Sequence, residues 1–275
     1  MSANTIGERY QKRTDATAVP VGKASFTAAL RSEWTKLWSL RSTYWSLLAL
    51  VVLTVGLSAI ISAATVTTTP IVAPEDPTVV SLAGLDTGLL VMIVLGAMFI
   101  STEYGTSSIR TSLVAVPRRL TFLGAKALVM AVVSLVAGTL TSFAAFFTGQ
   151  MILSTEQLNV QLSDPNVLRA VVGGGLILAG SAMFGFALGA LLRSTAAGIS
   201  VAVGALVVLP QLTRIIPGNW GEIIQKYFTS NAGQQIVRVV PFDGQLGPWT
   251  GYIVFTLWWI VLLAVAAILM KRRDA

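Results

Sequence analysis

Long apolar runs alternate with short polar segments along most of the chain. Six of these runs are long enough to cross a hydrocarbon core of about 30 Å, which takes about 17–25 helical residues. The runs lie near residues 44–64, 80–101, 122–148, 169–192, 196–212 and 250–270. The third is long enough to tilt or to extend beyond the membrane, and the fifth is at the short limit. The pattern therefore predicts an all-α membrane protein whose six transmembrane helices occupy residues 43–273.

Composition supports a lipid environment and excludes several kinds of chemistry. Of the 275 residues, 54% are hydrophobic and only 11% are charged, whereas charged residues make up about a quarter of a soluble domain. The chain contains neither Cys nor His, which excludes thiol and imidazole catalysis, the usual zinc ligands and disulfides. It also has no Gly-x-x-x-x-Gly-Lys-Ser/Thr loop for phosphates. We therefore expect no catalytic residue, no metal site and no cofactor bound by this chain.

The cations are divided unevenly between the two sets of loops. With the N-terminus inside, the cytoplasmic segments hold 15 of the 19 Lys and Arg residues. The outer segments hold the remaining four: Arg169, Arg214, Lys226 and Arg238. This positive-inside bias predicts a multi-pass protein of the cell (inner or plasma) membrane with both termini in the cytoplasm. Because the cations flank apolar runs, lipid headgroups rather than nucleic acid are their expected partners.

Two polar segments precede the first apolar run. Residues 1–24 have no apolar core region, so they predict a disordered cytoplasmic tail rather than a secretory signal. Residues 25–42 predict an amphipathic helix with a spacing of about 100° per residue. Its apolar face carries Phe26, Leu30, Trp34, Leu37 and Trp38. Its polar face carries Arg31, Ser32, Thr35, Lys36 and Ser39. This pattern is typical of a helix that lies in the membrane interface.

The outer segment 213–249 predicts short extracellular helices before the last span. Asn219 is followed by Glu222 at the spacing of a helix cap, and apolar residues come next. Asn231 and Gln234 repeat the pattern. Two short amphipathic helices at the outer surface are therefore expected.

Two features of the spans leave more than one interpretation open, and a third carries a single expectation. Asp86, the one acid within an apolar run, belongs either to the wet outer rim or to a substrate or ion pathway. Glu103, at the cytoplasmic end of the same span, is expected to be hydrated. Gly185 and Gly189 have the spacing that lets helices approach closely, either within the chain or between two chains.

Short motifs around the first cytoplasmic loop carry a resemblance to a known family. Four follow one another along the chain: Glu103, Gly105-Thr106, Pro117-Arg118 and Lys126. Two more precede the first span: Glu33-x-x-Lys36 and Arg41-Ser42. In this order, and together with six spans, they resemble the permease subunits of type-2 ABC transporters over about residues 26–273.

The resemblance implies an exporter permease that is not itself an enzyme. Residues 102–120 would form a coupling loop that docks on a separate ATP-binding cassette ATPase, which binds ATP and Mg. The implied interface comprises Glu103, Tyr104, Gly105, Thr106, Arg110, Pro117, Arg118 and Arg119. Two permease chains would pair, as a homodimer or a heterodimer, and the interfacial helix, including Glu33 and Arg41, would steady the first span. For Arg110, Arg118 and Arg119 an alternative is that they are only topology signals.

Other function classes stay open at this point. An ion-coupled secondary transporter predicts intramembrane charges and inverted repeats with broken helices, for which Asp86 is a thin basis. A non-transporting membrane scaffold could share the same architecture. If the chain is an exporter, spans rich in Leu, Ala, Gly, Ser and Thr suit amphipathic or hydrophobic cargo such as a drug, lipid or peptide.

Overall fold

A computed structural model of the chain describes residues 25–68, 76–105, 119–213, 215–240, 242 and 244–272. Within these residues the chain is all-helical and contains no strand. The helices before the fourth span are α1 Phe26–Ser39, α2 Arg41–Thr68, α3 Pro77–Ser81, α4 Leu85–Gly105 and α5 Arg119–Leu153. The later helices are α6 Val167–Leu192, α7 Thr195–Val203, α8 Leu209–Thr213, α9 Gly218–Tyr227, α10 Thr229–Gly233 and α11 Pro248–Arg272.

The prediction of six spans is confirmed, because six helical segments are long and apolar enough to cross a membrane. They are α2, α4, α5, α6, the continuous segment from α7 to α8, and α11. The chain is therefore a multi-pass membrane protein. The second span begins later than predicted, because Asp76 caps the separate short helix α3. A turn at residues 82–84 then leads into α4, where the Gly84 N–H donates to Ser58 Oγ at 3.0 Å.

Helix α6 forms the centre of the bundle. Over an apolar stretch of 18 residues in this helix, 83% of the residues are buried. The buried share of the corresponding stretch is 22% in α2 and 17% in α11. It packs against α4 on one side and α5 on another, and α11 covers a third side. The outer helices α2 and α11 keep wide apolar surfaces, which suits contact with lipid tails.

Glycines allow α4 and α6 to approach closely. A Cβ atom on Gly185 would collide with the Ile93 carbonyl oxygen of α4, and one on Gly189 would lie 2.9 Å from the Ala97 oxygen. From the other side, a Cβ atom on Gly96 would collide with the α6 backbone. Gly185 and Gly189 therefore lie in a helix contact within the chain, the first of the two interpretations given above.

The fifth span contains a π-helical turn, and a later segment of the chain packs against this turn. Between α7 and α8 the backbone forms a π-helical turn, Gly204–Val208, whose widened ladder frees carbonyl groups. The Thr229 hydroxyl donates to the Ala205 oxygen at 3.1 Å, and the Ser230 hydroxyl donates to the Leu206 oxygen at 2.6 Å. Helix α10 is thus buried against the fifth span.

The predicted caps in this region are wrong, although short helices do form. Helix α9 begins at Gly218, after Pro217, rather than at a cap formed by Asn219. Asn231 lies inside α10, where its side-chain amide donates to Thr213 Oγ1 at 3.3 Å. Helix α10 packs mainly against α11, a tertiary contact that a local cap pattern does not contain.

The segment after α10 is held from two sides at the end of the bundle opposite α1. Asp76 Oδ1 accepts from the first turn of α3, while Oδ2 accepts from the Val239 and Val240 amides at 2.9 and 3.3 Å. The Arg169 guanidinium donates to the Ile236 and Arg238 carbonyl oxygens, both at 2.8 Å. One carboxylate thus binds the N–H groups of the segment, and one guanidinium binds its carbonyl groups.

Asp76→Asn should loosen this segment without unwinding α3. The variant amide keeps one accepting oxygen for the α3 cap but offers no second acceptor to Val239 and Val240. We expect faster hydrogen exchange at those two amides and unchanged exchange in the six spans. Asp76→Ala should in addition weaken α3, by about 0.5–2 kcal/mol for the lost cap. Equal exchange at residues 239 and 240 in Asp76→Asn and wild type would contradict this role.

A buried ion cluster beside the candidate coupling loop

Four charged side chains from three helices meet at the α1 end of the bundle. Lys126 Nζ of α5 donates to Glu33 Oε2 of α1 at 2.8 Å and to Glu103 Oε1 of α4 at 2.9 Å. Lys36 Nζ donates to Glu33 Oε1 at 2.7 Å and to Glu103 Oε1 at 3.2 Å. The four side chains, called here the ion cluster, carry two positive and two negative formal charges. The cluster joins α1 to the end of α4 and the start of α5.

Burial raises the free-energy cost of breaking the ion cluster. The Lys126 and Glu33 side chains are only 2% and 3% exposed, so water cannot replace a lost partner. Lys126 Nζ also lies 4.2 Å from the centre of the Phe99 ring, a cation–π contact inside the bundle. Replacing one member of a buried pair leaves an uncompensated charge, which typically costs about 3–5 kcal/mol.

Helix α1 contacts the bundle through one stripe of its surface. Its buried residues are Ala29, Glu33 and Leu37, spaced by four and therefore on one stripe. Phe26 and Trp34, predicted on the same face as Leu37, remain 44% and 45% exposed. The stripe in contact with α5 contains a carboxylate, Glu33, which pairs with Lys126, and the position of this helix in the membrane interface stays a prediction. Leu30 and Trp38 are half-buried, whereas Arg41 is exposed at the start of α2.

Glu103 is not hydrated as expected, because its side chain is only 10% exposed and lies in the ion cluster. The neighbouring Tyr104 projects from a different side of α4, about 100° away, and the Arg193 guanidinium lies 5.4 Å from its ring centre. One turn earlier, the Ser101 and Thr195 hydroxyls are 2.7 Å apart. The last turn of α4 is therefore held by the ion cluster on one side and by the α6–α7 turn on another.

The rest of the candidate interface falls outside the described residues. Thr106, Arg110, Pro117 and Arg118 belong to this set, and of Gly105 and Arg119 only the helical backbone is described. The predicted tail over residues 1–24 also lies outside. What the structure does describe is the frame on either side of the loop: the end of α4 and the start of α5.

Lys36 adds a measurable pH dependence to the ion cluster. Burial lowers the pKa of this lysine, but hydrogen bonds and charge interactions with Glu33 and Glu103 outweigh burial and raise the pKa above its ordinary value of 10.5. A raised lysine pKa stabilises the fold below 10.5, and this contribution is lost as the pH rises through the folded-state value.

The difference in melting temperature between wild type and Lys36→Met should therefore stay constant from neutral pH to about pH 10 and shrink above it. Comparing the two proteins at each pH cancels the effects of other titrating groups. A difference that already shrinks at neutral pH would show that Lys36 is not held by the two carboxylates.

Asp86 lies at the opposite end of the bundle and is exposed. Its carboxylate accepts from the Gln234 side-chain amide at 3.1 Å. Together with Arg238, these side chains line a cavity of about 100 Å³ between α4 and the segment after α10. Asp86 is far from the ion cluster along α4, and both interpretations of it, a wet rim or a contact in a pathway, stay predictions.

Lys126 belongs to one of the motifs that carry the family resemblance, but it is not among the residues of the implied interface. The visible signal was its position inside a long apolar run, since a charge in such a place needs a partner. Its partners could not be identified from spacing, because Glu33 and Glu103 lie 93 and 23 residues away along the chain.

No protein-family model matches the chain, and a search of curated proteins finds no significant match. The chain is therefore characterised by its fold, that of a multi-pass membrane protein, and by the ion cluster, which joins three helices at one end of the bundle.

Proposed function

We propose that the chain is the membrane-spanning permease subunit of an ATP-driven ABC exporter. A separate ATPase subunit binds ATP and Mg, and a second permease chain completes the pathway. The coupling element is the loop of residues 102–120, and the cargo is an amphipathic or hydrophobic drug, lipid or peptide that moves outward.

The observation that carries this proposal is the ion cluster. Glu33, Lys36, Glu103 and Lys126 are four of the positions on which the resemblance to type-2 ABC permeases rests, and they meet within 2.7–3.2 Å. A force applied to the loop between α4 and α5 is transmitted to the spans only if the loop's base is stiff. Charge pairs buried between three helices supply that stiffness.

The positions of Glu103 and Tyr104 assign them a supporting part in this proposal. Glu103 is buried within the cluster, and the half-buried Tyr104 packs near Arg193, so both make contacts within the chain. They hold the base of the loop. Contact with the ATPase then falls to the loop itself, above all to Arg110 and Arg118.

The distribution of cations supports an orientation with both termini in the cytoplasm. Arg193 lies beside Tyr104 at the α1 end, whereas Arg169 binds carbonyl groups at the opposite end. These positions match the two sets of loops from which the positive-inside bias was counted. The ion cluster and the coupling loop then face the cytoplasm, where an ATPase can bind.

An ion-coupled transporter receives less support. In the described parts of the six spans, the acids are Asp86 and Glu103. Asp86 is exposed and Glu103 is paired with two lysines. Neither arrangement resembles a carboxylate relay that releases and rebinds an ion within the membrane.

Affinity purification from the native cell tests the proposal. The full chain should bring down an ATPase with a phosphate-binding loop, and vesicles holding both subunits should transport cargo only when ATP is supplied. Asp86→Asn should transport as wild type does. A chain that purifies alone and transports in vesicles without ATP, with that transport abolished in Asp86→Asn, would favour the ion-coupled class instead.

A further inference from the structure

A groove of about 450 Å³ runs between α1 and α5 on the lateral surface of the bundle. Leu30 and Trp34 of α1 form one wall, and Leu128 and Val132 of α5 form the other. Arg31 lines the same groove, and its side chain is exposed. The groove therefore combines an apolar interior with one cationic side chain.

The groove opens onto a surface that faces lipid. Leu128 and Val132 are each 45% exposed, and the stripe continues along α5 through Leu135 and Val136. These residues follow the three- and four-residue spacing of one helix face. Hydrocarbon can thus pass from the bilayer into the groove without crossing a polar surface.

The charge beside the groove indicates the chemistry of the headgroup that a bound molecule would carry. Glu33 is the only acid on α1, and it is already paired with Lys36 and Lys126. Among the residues that the structure describes, every salt bridge lies within the ion cluster, so Arg31 makes none. A guanidinium beside an apolar groove, with no carboxylate to pair with, complements a ligand that carries a phosphate and a hydrocarbon chain.

We propose that this groove binds one anionic phospholipid, with an acyl chain between α1 and α5 and the phosphate on Arg31. Trp34 lies where the acyl chain meets the headgroup, the depth that indole rings prefer. The lipid would fill the space between the two helices and steady α1 against the bundle beside the ion cluster. The inference does not depend on the proposed transport function, because it concerns the chain alone.

Native mass spectrometry of the full purified chain tests the proposal. The protein is equilibrated in detergent with equal amounts of phosphatidylglycerol and phosphatidylcholine that carry identical acyl chains. We expect wild type to retain the anionic lipid with about a fivefold preference, the factor expected for one cation at a headgroup. Arg31→Gln should bring the ratio to about one. Arg41→Gln, which removes an exposed cation outside the groove, should keep the wild-type ratio.

A second pair of variants tests the acyl-chain site. Val132→Trp fills the groove and should abolish retention of both lipids, whereas Val136→Trp, one turn away on the same face, should leave retention unchanged. Both variants should elute as wild type does on gel filtration, which shows that the fold is intact. Retention in Val132→Trp equal to that in Val136→Trp would overturn the proposal, as would an unchanged lipid ratio in Arg31→Gln. Displacement of the lipid by free glycerophosphate would also overturn it, since a phosphate site alone would then explain the binding.

Discussion

Lys126→Met should lower the free energy of unfolding by about 3–5 kcal/mol, the typical cost of leaving buried charges without a partner. Methionine keeps most of the side-chain volume, so the loss comes from the charge rather than from a cavity. Glu33 and Glu103 would then share Lys36 alone, and Lys36 is 41% exposed. Unfolding in detergent with increasing denaturant measures the change. Lys271→Met, which removes an exposed lysine at the end of α11, is the control and should change stability by less than about 0.5 kcal/mol.

A double variant tests whether Glu33 and Lys126 stabilise the fold as a pair. Glu33→Gln with Lys126→Met removes one charge of each sign, so Lys36 and Glu103 remain as a neutral pair. The double variant should therefore lose less stability than the sum of the two single variants, with a coupling of about 0.5–3 kcal/mol. Strictly additive losses would show that the two side chains do not act as a pair.

Gly185→Ala should destabilise the bundle by about 1–3 kcal/mol, because the added methyl group collides with the α4 backbone. The nearby Ile93 carbonyl is held by its own helix, so the contact is relieved only by moving α4 and α6 apart. Gly56→Ala is the matched control, since a Cβ atom on this α2 glycine meets no atom within 4 Å.

The same unfolding measurement distinguishes the two glycine variants. Gly56→Ala should be neutral or slightly stabilising, because alanine favours the helix more than glycine does. If Gly185→Ala were tolerated as well as Gly56→Ala, the close approach of α4 and α6 would not be required.

The six spans were predictable because a lipid environment restricts the backbone conformations that a membrane-crossing segment can adopt. A backbone without water must satisfy its hydrogen bonds within a helix, so the length and polarity of each run nearly determine the structure. The boundaries were less predictable. The second span was expected from residue 80, but Asp76 caps α3 and a turn precedes Leu85, features that depend on contacts with α2 and residues 239–240.

The candidate site was only partly predictable for a similar reason. A helical projection identifies which residues of α1 share a face, but it cannot show which face meets α5. Glu33 was therefore grouped with an interfacial helix, although its carboxylate is buried and binds Lys126. Glu103 was expected in water because it ends a span. Pairing across 93 residues depends on the three-dimensional arrangement of α1, α4 and α5, which no local pattern contains.

The segment that packs against the π-helical turn shows the same limit at the other end of the bundle. Residues 229–237 contain small and polar side chains that resemble an exposed connection. They pack against α11 and α6, and the Thr229 and Ser230 hydroxyls donate to the Ala205 and Leu206 carbonyl oxygens of the π-helical turn. A π-helical turn has no clear sequence signal, so the docking of this segment could not be foreseen.

Cysteine crosslinking tests most directly whether the loop between α4 and α5 meets an ATPase. The chain has no native cysteine, so a single substitution labels one position. Arg110→Cys marks the loop, and Asn219→Cys marks an exposed position on α9 at the opposite end. Each variant is expressed in the native cell and treated with a thiol-to-amine crosslinker, and the captured protein is identified by mass spectrometry.

Arg110→Cys should capture a protein with a phosphate-binding loop, with a yield that changes when ATP is added, and Asn219→Cys should not capture it. Capture of the same ATPase from Asn219→Cys, or capture of none from Arg110→Cys in cells where the complex is intact, would contradict the proposed coupling.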